Sequence, residues 1–378
     1  MRAAVLTIVC LSLGSLAFAH HGGGTFDPSK SVELTGKLTR IDFINPHSWI
    51  YFDVTEKDGK VSAHRCEMRS AHVLRRSGWT PEMFRIGQRV TIQGSPDRND
   101  PSSCYLSTLI LEDGSHTDRY GQFTKASVAV AKPRTSRRPT GEPDISGDWA
   151  PEQLVMTDPR GRGGALVRLS TVSRYKPGEG RIGGPRGAGR GGPRTYLGTG
   201  LTEEGEKAAA SFSAFSPKDN PRMRCETTSV IFDWTFDGPV NRITQNKDTI
   251  VVQYGQLGLT RTIHMNMAKH PASVKPSRAG HSIGRWDGDV LTVDTVGFAP
   301  GVLSPPVLNS DQLHIVERFS LDPKVMTLTR AYVVEDPVYL KGQASGSDVV
   351  QVADQPYVKD RCTELGLIDY SKERRQAK

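Results

Sequence analysis

The sequence predicts a mainly β protein, with a small N-terminal OB-like barrel followed by a larger antiparallel β-barrel of calycin-like type or a β-sandwich. Three observations predict this class. Short runs of alternating apolar and polar residues recur along the chain, only two segments have the pattern of short helices, and tight-turn signals separate the runs. These turn signals are Asp58-Gly59, Asp237-Gly238, Asp287-Gly288 and Asp322-Pro323.

The first domain is predicted to span residues 20–113. Val32, Leu34 and Leu38 alternate with polar residues, which is the period of a half-buried strand. A single helix, with Ser70 as its N-cap and Gly78 as its stop, falls between the third and fourth of five predicted strands. That order of elements is typical of an OB-like barrel. The remaining predicted strands are 48–54, a segment around Cys66, 89–93 and 105–111.

A second, larger domain is predicted for residues 144–378, after a polar linker at 114–143. It contains one short helix at 202–211 and many short strands joined by tight turns, a pattern typical of an antiparallel barrel or sandwich. An up-and-down barrel that encloses a small ligand is the first expectation. The predicted strands are 230–236, 243–244, 249–254, 260–267, 290–296, 314–321 and 325–335.

Residues 1–19 have the pattern of a secretory signal peptide. Arg2 supplies the positive charge, residues 3–16 are largely apolar, and Ala17-Phe18-Ala19 is a small-x-small cleavage site. We expect cleavage after Ala19, a mature chain that begins at His20, and a periplasmic or secreted location. No later stretch reaches the roughly 20 apolar residues that a membrane-spanning helix needs, so no transmembrane segment is expected.

Four cysteines remain once the predicted signal peptide, which contains Cys10, is removed. An even number of cysteines in an exported chain favours disulfides over a metal cluster, and four cysteines allow three pairings. We expect the pairs Cys66–Cys104 and Cys225–Cys362, because each pair then lies within one predicted domain.

The net charge of +8 is concentrated in one segment of the chain. Residues 160–194 contain eight arginines and Lys176 against a single acidic residue, Glu179, so the rest of the chain is close to neutral. The segment is rich in glycine and proline, and we predict a disordered loop at 160–195. Because no folded basic surface is left outside this loop, nucleic acid is not an expected partner.

Both halves of the chain carry distinctive motifs. The first half contains His20-His21, Leu34-Thr35-Gly36, Asn45-Pro46-His47-Ser48-Trp49 and Arg76-Ser77-Gly78-Trp79-Thr80. In these motifs it resembles a family of small exported bacterial proteins of unknown function. The second half is similar to another uncharacterised exported family in Pro143–Gly147, Gly280–Asp289, Val316–Phe319 and Glu335–Pro337. The resemblance implies a proteobacterial periplasmic setting and brings no established activity. The Arg/Gly-rich insertion, and Thr363 where that family usually has histidine, are departures.

Three ionisable residues fall on apolar faces of three predicted strands of the second domain. By alternation, we expect Arg261, Glu317 and Arg330 to face one shared interior, together with the aromatic residues Trp234 and Tyr332. One Arg–Glu pair would be neutral, and the second guanidinium would then be free to bind a carboxylate or enolate oxygen. The alternative is a structural Arg–Glu–Arg network that closes the barrel and binds nothing.

The leading functional hypothesis is a periplasmic small-molecule-binding protein whose C-terminal barrel holds a partly apolar anionic ligand, positioned by Arg261 and Arg330. The alternative is an isomerase, lyase or hydrolase without an organic cofactor that uses the same cavity. Its general base would be Glu317, with a pKa raised in an apolar pocket, or His281 beside a predicted turn at 282–287.

A third hypothesis is copper or zinc binding by the mature N-terminus. An N-terminal histidine offers its amino nitrogen and a ring nitrogen to one metal ion, and a second imidazole completes a nitrogen set that suits copper. His20 and His21 would supply the start of this site, and His47, expected to face outward beside Trp49 and Tyr51, would supply the rest. No other cofactor is indicated, and the sequence does not define the oligomeric state.

Overall fold

The computed structural model describes residues 26–119 except 28 and 46, residues 136–156 and 166–170, residues 195–360 except 214 and 215, and residue 362. The described residues are mainly β. They form a five-stranded barrel in the N-terminal region and a larger nine-stranded barrel in the C-terminal part, which confirms the predicted fold class. The predicted signal peptide, His20, His21 and most of the predicted Arg/Gly-rich loop lie outside the described residues.

The N-terminal barrel is built from short strands and one short helix. Its elements are β1 (Val32–Asp42), β2 (Trp49–Thr55), β3 (Val61–Glu67), α1 (Ala71–Arg76), β4 (Arg89–Pro96), β5 (Ser103–Leu111) and β6 (His116–Asp118). The strands follow the order β3-β2-β1-β4-β5-β6, and the parallel pairing of β3 with β5 closes the first five strands into a barrel. This order, with α1 between β3 and β4, is the predicted OB-like arrangement. The short strand β6, which pairs with β5, lies inside the stretch that was predicted as a linker.

The core of this barrel follows from the alternation along its strands. The predicted inward face of β2 is buried, and its residues are Ile50, Phe52 and Val54. Cys66 on β3 and Cys104 on β5 are direct partners in the parallel pair, and a disulfide joins them. The bond therefore crosses the position at which the barrel closes.

The C-terminal part continues with β7 (Gly147–Ala150), β8 (Leu154–Met156), β9 (Leu166–Arg168), β10 (Thr195–Tyr196), β11 (Thr199–Gly200), α2 (Glu203–Ser211), β12 (Asn241–Gln245), β13 (Thr249–Gln253), β14 (Thr260–His264), β15 (His281–Asp287), β16 (Val290–Val296), β17 (Gly301–Ser304), β18 (Val307–Asn309), β19 (His314–Asp322), β20 (Thr327–Glu335) and β21 (Ala344–Val352). Nine of these strands close a barrel in the order β12-β13-β14-β15-β16-β19-β20-β21-β7. Neighbouring strands of the barrel are antiparallel, except β14 and β15, which run parallel.

Most of the strands predicted for the second domain are confirmed, but residues 230–236 are not a strand. They contain a 3-10 turn at Phe232–Trp234. The Ser229 hydroxyl accepts a hydrogen bond from the backbone nitrogen of Phe232 (3.0 Å). The carboxylate of Asp233 accepts one from the backbone nitrogen of Thr228 (2.6 Å). These local side-chain bonds satisfy the backbone without a sheet, which is why an apolar alternation was a misleading signal here.

Three further segments differ from the sequence prediction. Residues 282–287, predicted as a turn, belong to β15, whereas the predicted turn signal Asp287-Gly288 is confirmed, with φ of 57° at Gly288. Residues 344–352 form β21, which was not predicted because Gly346 and Asp348 interrupt the apolar residues Ala344, Val350 and Val352 on its inward face. Residues 166–168, inside the predicted disordered loop, form β9 and pair with β8.

Both predicted disulfides are present. Cys225 and Cys362 form the second bond, within the C-terminal part. Disulfides are typical of proteins from oxidising compartments such as the periplasm or the exterior. In the part of the chain that the structure describes, no helix is long and apolar enough to cross a membrane.

The two barrels contact each other through α1 and the segment 235–238. Arg76, at the end of α1, is only 5% exposed. Its guanidinium donates to the carbonyl oxygens of Pro151 (2.7 Å) and Gly238 (2.8 Å) and to Asp354 Oδ1 (2.9 Å). These three bonds reach three separate segments of the C-terminal part, so Arg76 ties the two barrels together.

Candidate functional site

The side chains predicted to share the barrel interior do converge there. Arg261 on β14, Glu317 on β19 and Arg330 on β20 are each at most 1% exposed. Arg261 Nη2 lies 2.5 Å from Glu317 Oε2, and Arg330 Nη1 lies 3.2 Å from Glu317 Oε1. Their predicted position on the inward faces of the three strands is therefore confirmed.

The charge balance in this interior differs from the prediction. Arg330 also forms an ion pair with Asp348 on β21, with 3.0 Å between Nε and Oδ2. We refer to Arg261, Glu317, Arg330 and Asp348 as the inner network. Two guanidinium groups face two carboxylates, so the expectation of one free guanidinium is wrong. The reason is that Asp348 lies on a strand that the sequence prediction missed.

Hydrogen bonds complete the inner network. Arg330 donates to the backbone oxygens of Val230 (2.8 Å) and Ile231 (3.1 Å). Arg261 donates to Ser282 Oγ (2.8 Å) and Thr295 Oγ1 (2.6 Å). Buried charges are tolerated when they are paired and hydrogen-bonded in this way. The arrangement matches the structural alternative considered from the sequence.

Glu317 does not have the raised pKa that a general base in an apolar pocket would need. Burial raises the pKa of Glu317, but the guanidinium groups of Arg261 and Arg330 outweigh burial and hold it below the ordinary value of 4.5. The nearby Tyr254 hydroxyl shows the opposite balance, because burial raises its pKa to about 12. Glu317 is therefore ionised at neutral pH and its expected raised pKa is wrong.

Trp234 and Tyr332, the two aromatic residues predicted to contact a ligand, pack around Arg330. Its guanidinium lies 5.3 Å from the ring centre of Trp234 and 5.2 Å from that of Tyr332. Trp234 is 1% exposed and meets Tyr254 and Phe319 edge to face. The structure thus brings the predicted ligand-binding residues together, but as part of a packed interior.

A cavity of about 800 Å³ lies on the outer surface of the barrel, over β15, β16 and β19 and beside residues 265–270. We call it the outer groove. Its apolar lining consists of Met265, Met267, Ile283 and Val316. Three cations and one carboxylate also line it, and they are Lys269, Arg285, Arg318 and Asp294. An apolar floor with a few charged groups is typical of a small-molecule site.

The two arginines of the outer groove are held in register by the sheet. Arg285 on β15 is the direct partner of Thr292 on β16, and Thr292 is the direct partner of Arg318 on β19. Both arginines are exposed, and no ion pair engages either of them within the described ranges. They therefore flank one point of the groove with two positive charges.

A second cavity, of about 720 Å³, lies between the two barrels and has a different charge balance. Arg69 and Arg76 line it, but so do the carboxylates of Glu152, Asp237 and Asp348. Arg69 lies 3.5 Å from Asp237. Opposite charges therefore meet in this cavity, whereas the outer groove has an excess of positive charge.

A chain of hydrogen-bonded side chains begins in the lining of the outer groove, with His270 and Asp294, and continues to His281 and His314 outside that lining. His281 Nδ1 lies 2.9 Å from His270 Nδ1, and His270 Nε2 lies 2.9 Å from Asp294 Oδ1. His314 Nε2 lies 3.2 Å from the same Asp294 oxygen. We call these four residues the histidine chain. The ring of His264 stacks on His281 at 5.0 Å.

The chemistry of the partners fixes the direction of these bonds. The Asp294 carboxylate only accepts, so His270 Nε2 must donate to it. In a neutral His270, Nδ1 then accepts, and His281 Nδ1 must donate to it. Burial lowers the pKa of His281, and the neighbouring His264 and His270 lower it further. The lowered pKa favours a neutral His281 at pH 7, and beside a neutral His270 its Nε2 is unprotonated.

Sequence reasoning found His281 but missed its partners. The predicted turn at 282–287 hid the fact that His281, Ile283 and Arg285 alternate on the outer face of one strand. The period-two spacing of these three residues was the available signal. His270 comes from a connection between strands, where no periodicity points to a partner.

The third predicted site, a metal site at the N-terminus, involves only one described residue. His47 Nδ1 lies 2.7 Å from Glu67 Oε1. Burial lowers the pKa of His47, but the Glu67 carboxylate outweighs burial and raises it above the ordinary value. Within the described residues, which do not include His20 and His21, no group of three or more histidine, cysteine, aspartate or glutamate side chains is placed to hold a metal ion.

The fold and these sites define a two-barrel protein with a charge-matched interior and a cationic groove on its outer surface. Residues 7–104 match a family of unknown function, DUF6152. The match covers β1 to β4 and ends at Cys104, at the start of β5. No curated protein matches the chain. The likeness of the second half to another exported family stays a prediction.

Proposed function

We propose that the protein is an exported, periplasmic binding protein for small, partly apolar anions, and that the ligand lies in the outer groove. The observation that carries this proposal is the pair Arg285 and Arg318, which flank Thr292 on the exposed face of three neighbouring strands. The chemistry of the ligand is the one expected from the sequence. Its position is different, because the arginines of the inner network are already paired with carboxylates.

The groove suits an anion with an apolar body for electrostatic and packing reasons. A carboxylate, sulfonate or phosphate between the two guanidinium groups would receive charge-assisted hydrogen bonds from both. Thr292 offers a hydroxyl between them. The apolar part of the ligand would then cover the methionine, isoleucine and valine side chains of the floor, and methionine adapts to irregular shapes.

The proposed location has separate support. The two disulfides are of the kind that persist in oxidising compartments. Residues 1–19 have the pattern of a signal peptide that is cleaved after Ala19. Mass spectrometry of the protein expressed with its own leader would show a mature chain that begins at His20.

A pair of fluorescent probes tests the binding site. Anilinonaphthalene sulfonate is an anion with an apolar body, and phenylnaphthylamine has the same apolar body without the charge. We expect the double variant Arg285→Gln/Arg318→Gln to bind the sulfonate about tenfold more weakly, because two charge-assisted contacts are lost. Affinity for the uncharged probe should change little. Fluorescence titration measures both dissociation constants.

The matched control is Arg85→Gln/Arg89→Gln, which removes two exposed arginines from the N-terminal barrel. It changes the net charge by the same amount and should leave both dissociation constants as in the parent protein. Equal sulfonate affinity in the parent and in Arg285→Gln/Arg318→Gln would overturn the proposed site. Equal losses in the two double variants would show a general effect of net charge and would overturn it as well.

A further inference from the structure

We propose that the end of the outer groove is also a catalytic site, in which His281, bonded to the groove-lining His270, acts as general base in the hydrolysis of an ester that carries a second, anionic group. This inference rests on the proposed function, because Arg285 and Arg318 would hold the anionic group. The geometry that carries it is the histidine chain beside these arginines. Histidine, histidine and aspartate from three different segments meet at hydrogen-bond distance, with one ring nitrogen left as a base.

The positions along β15 set the shape of the substrate. His281, Ile283 and Arg285 alternate on the outer face, with Ile283 in the floor of the groove. Strand residues rise about 3.3 Å each, so His281 and Arg285 are about 13 Å apart along the strand. A substrate that reaches both residues therefore has its anion and its ester at opposite ends of an apolar chain.

His270 and Asp294 would act as positioning residues. Asp294 fixes the tautomer of His270 by accepting from its Nε2, and His270 fixes the tautomer of His281 by accepting from its Nδ1. The same bonds orient the imidazole of His281 and stabilise the positive charge that it gains when it takes a proton. A carboxylate that orients and stabilises a histidine has this role in many hydrolases.

The proposed step balances without any further reactant. His281 Nε2 takes a proton from a water molecule while the water oxygen forms a bond to the ester carbonyl carbon. The bond from that carbon to the leaving oxygen then breaks, and the protonated His281 returns the proton to the leaving alcohol. The products are a carboxylic acid and an alcohol, and His281 is again neutral.

The charged groups around His281 favour its neutral form at neutral pH. His264 on β14 stacks against it, and His270 donates no proton to it in the tautomer derived above. The two acidic groups nearby do not contact His281 directly. Asp294 on β16 bonds to His270 and His314, and Glu335 on β20 lies 3.7 Å from His314 Nδ1. The rate should therefore rise with pH through a midpoint below the ordinary histidine value of 6.5.

A series of mono-4-nitrophenyl esters of succinate, adipate and suberate tests the inference. Each ester has one free carboxylate, one ester group and an apolar chain of different length. We expect hydrolysis to favour one chain length, and His281→Gln to lower kcat about 100-fold or more, as for other general bases. The dissociation constant of anilinonaphthalene sulfonate should be unchanged by His281→Gln. The matched control is His116→Gln, which replaces an exposed histidine of β6.

The positioning role has its own readout. Asp294→Asn removes the carboxylate that stabilises the imidazolium, so the midpoint of the pH–rate profile should move to lower pH and kcat should fall. A residue with a purely structural role would lower kcat without this shift. Arg285→Gln/Arg318→Gln should instead raise KM more than it lowers kcat.

The outcomes separate the two proposals. If none of the esters is hydrolysed, or if His281→Gln matches the parent rate, while sulfonate binding still depends on the arginines, the catalytic inference alone is wrong. Loss of sulfonate binding in His281→Gln would assign His281 to the anion site and overturn its role as base. Sulfonate binding that is independent of Arg285 and Arg318 would overturn the proposed function itself.

Discussion

At the scale of single residues, the alternation of side chains along a strand predicts which residues, such as Glu317, face the interior. Alternation alone placed Glu317, Arg261 and Arg330 on inward faces, and the structure confirms this. Alternation did not reveal their fourth partner, Asp348, because a strand whose inward face contains glycine and aspartate has no apolar period. The charge of an interior can therefore be predicted only when every strand that faces it is recognised.

The inner network should respond strongly to loss of its central charge. Glu317→Gln leaves two buried guanidinium groups with a single carboxylate, Asp348. Removing one partner of a buried ion pair typically costs about 3–5 kcal/mol, and we expect a loss of this size in the free energy of unfolding. Urea denaturation followed by tryptophan fluorescence measures it, with Trp234 next to Arg330 as a reporter.

Glu335→Gln is the control for this variant, because it removes a partly exposed carboxylate at the end of β20, the strand that also carries Arg330. We expect a change of about 1 kcal/mol or less there, as for surface pairs. A loss for Glu317→Gln as small as that of the control would show that the inner network does not stabilise the barrel.

The inner network also predicts a pH dependence. The folded pKa of Glu317 lies below its ordinary value of 4.5. Its stabilising contribution is therefore fully present at neutral pH and is lost as the pH falls below 4.5 towards the folded pKa. The difference in unfolding free energy between the parent and Glu317→Gln should shrink over that range. A difference that stays constant down to pH 3 would contradict the assignment.

At the scale of elements, prediction worked where a strand buries one apolar face and failed where side chains bond to the backbone. Strands 290–296 and 314–321 were predicted within one residue. The segment 230–236 has an equally good alternation, but it forms a 3-10 turn, in which Ser229 bonds to the backbone of Phe232 and Asp233 to the backbone of Thr228. Residues 282–287 were assigned to a turn next to the turn signal Asp287-Gly288, but only that dipeptide forms the turn.

The closure of the N-terminal barrel depends on its parallel pair, β3 and β5, which the disulfide Cys66–Cys104 joins across 38 residues of sequence. We expect Cys66→Ala/Cys104→Ala to lower the free energy of unfolding by about 4 kcal/mol, since the unfolded chain regains the freedom of that loop. Thermal unfolding without reducing agent measures the loss.

The double substitution also removes two buried sulfur atoms, so a second measurement is needed. In a Cys225→Ala/Cys362→Ala background, only the first disulfide remains, and reduction by dithiothreitol breaks it without removing any sulfur. Reduction of that background should give a loss close to that of Cys66→Ala/Cys104→Ala. No shift of the melting temperature on reduction would refute a role of this bond in closing the barrel.

At the scale of the whole molecule, the two barrels are joined by polar contacts that no local pattern predicts. Arg76 lies in a helix that was predicted correctly, but its three partners lie 75 or more residues away in sequence. Such contacts depend on how the barrels meet. The same limit applies to the outer groove, whose residues come from three strands and a connection between strands.

Arg76→Ala should uncouple the two barrels. It leaves the partly buried carbonyl oxygens of Pro151 and Gly238 without this donor and takes one of its donors from Asp354, and each unsatisfied group costs about 1–3 kcal/mol. We expect calorimetry to show two separated unfolding transitions, against a more cooperative transition in the parent protein. Arg85→Ala, which removes an exposed arginine from the same barrel, should leave the profile unchanged. A parent-like profile for Arg76→Ala would exclude Arg76 as the tie.

The odd number of strands in the larger barrel has a consequence for where chemistry can occur. A closed barrel in which all neighbouring strands are antiparallel needs an even number of strands. A barrel of nine strands therefore contains a parallel pair, and here that pair is β14 and β15. A parallel pair needs a long connection back to the starting end. Here residues 265–280 make that return, and they bring His270, Lys269 and Met267 to the outer wall. An even-stranded barrel closed by hairpins would have had no such return and no wall for the groove.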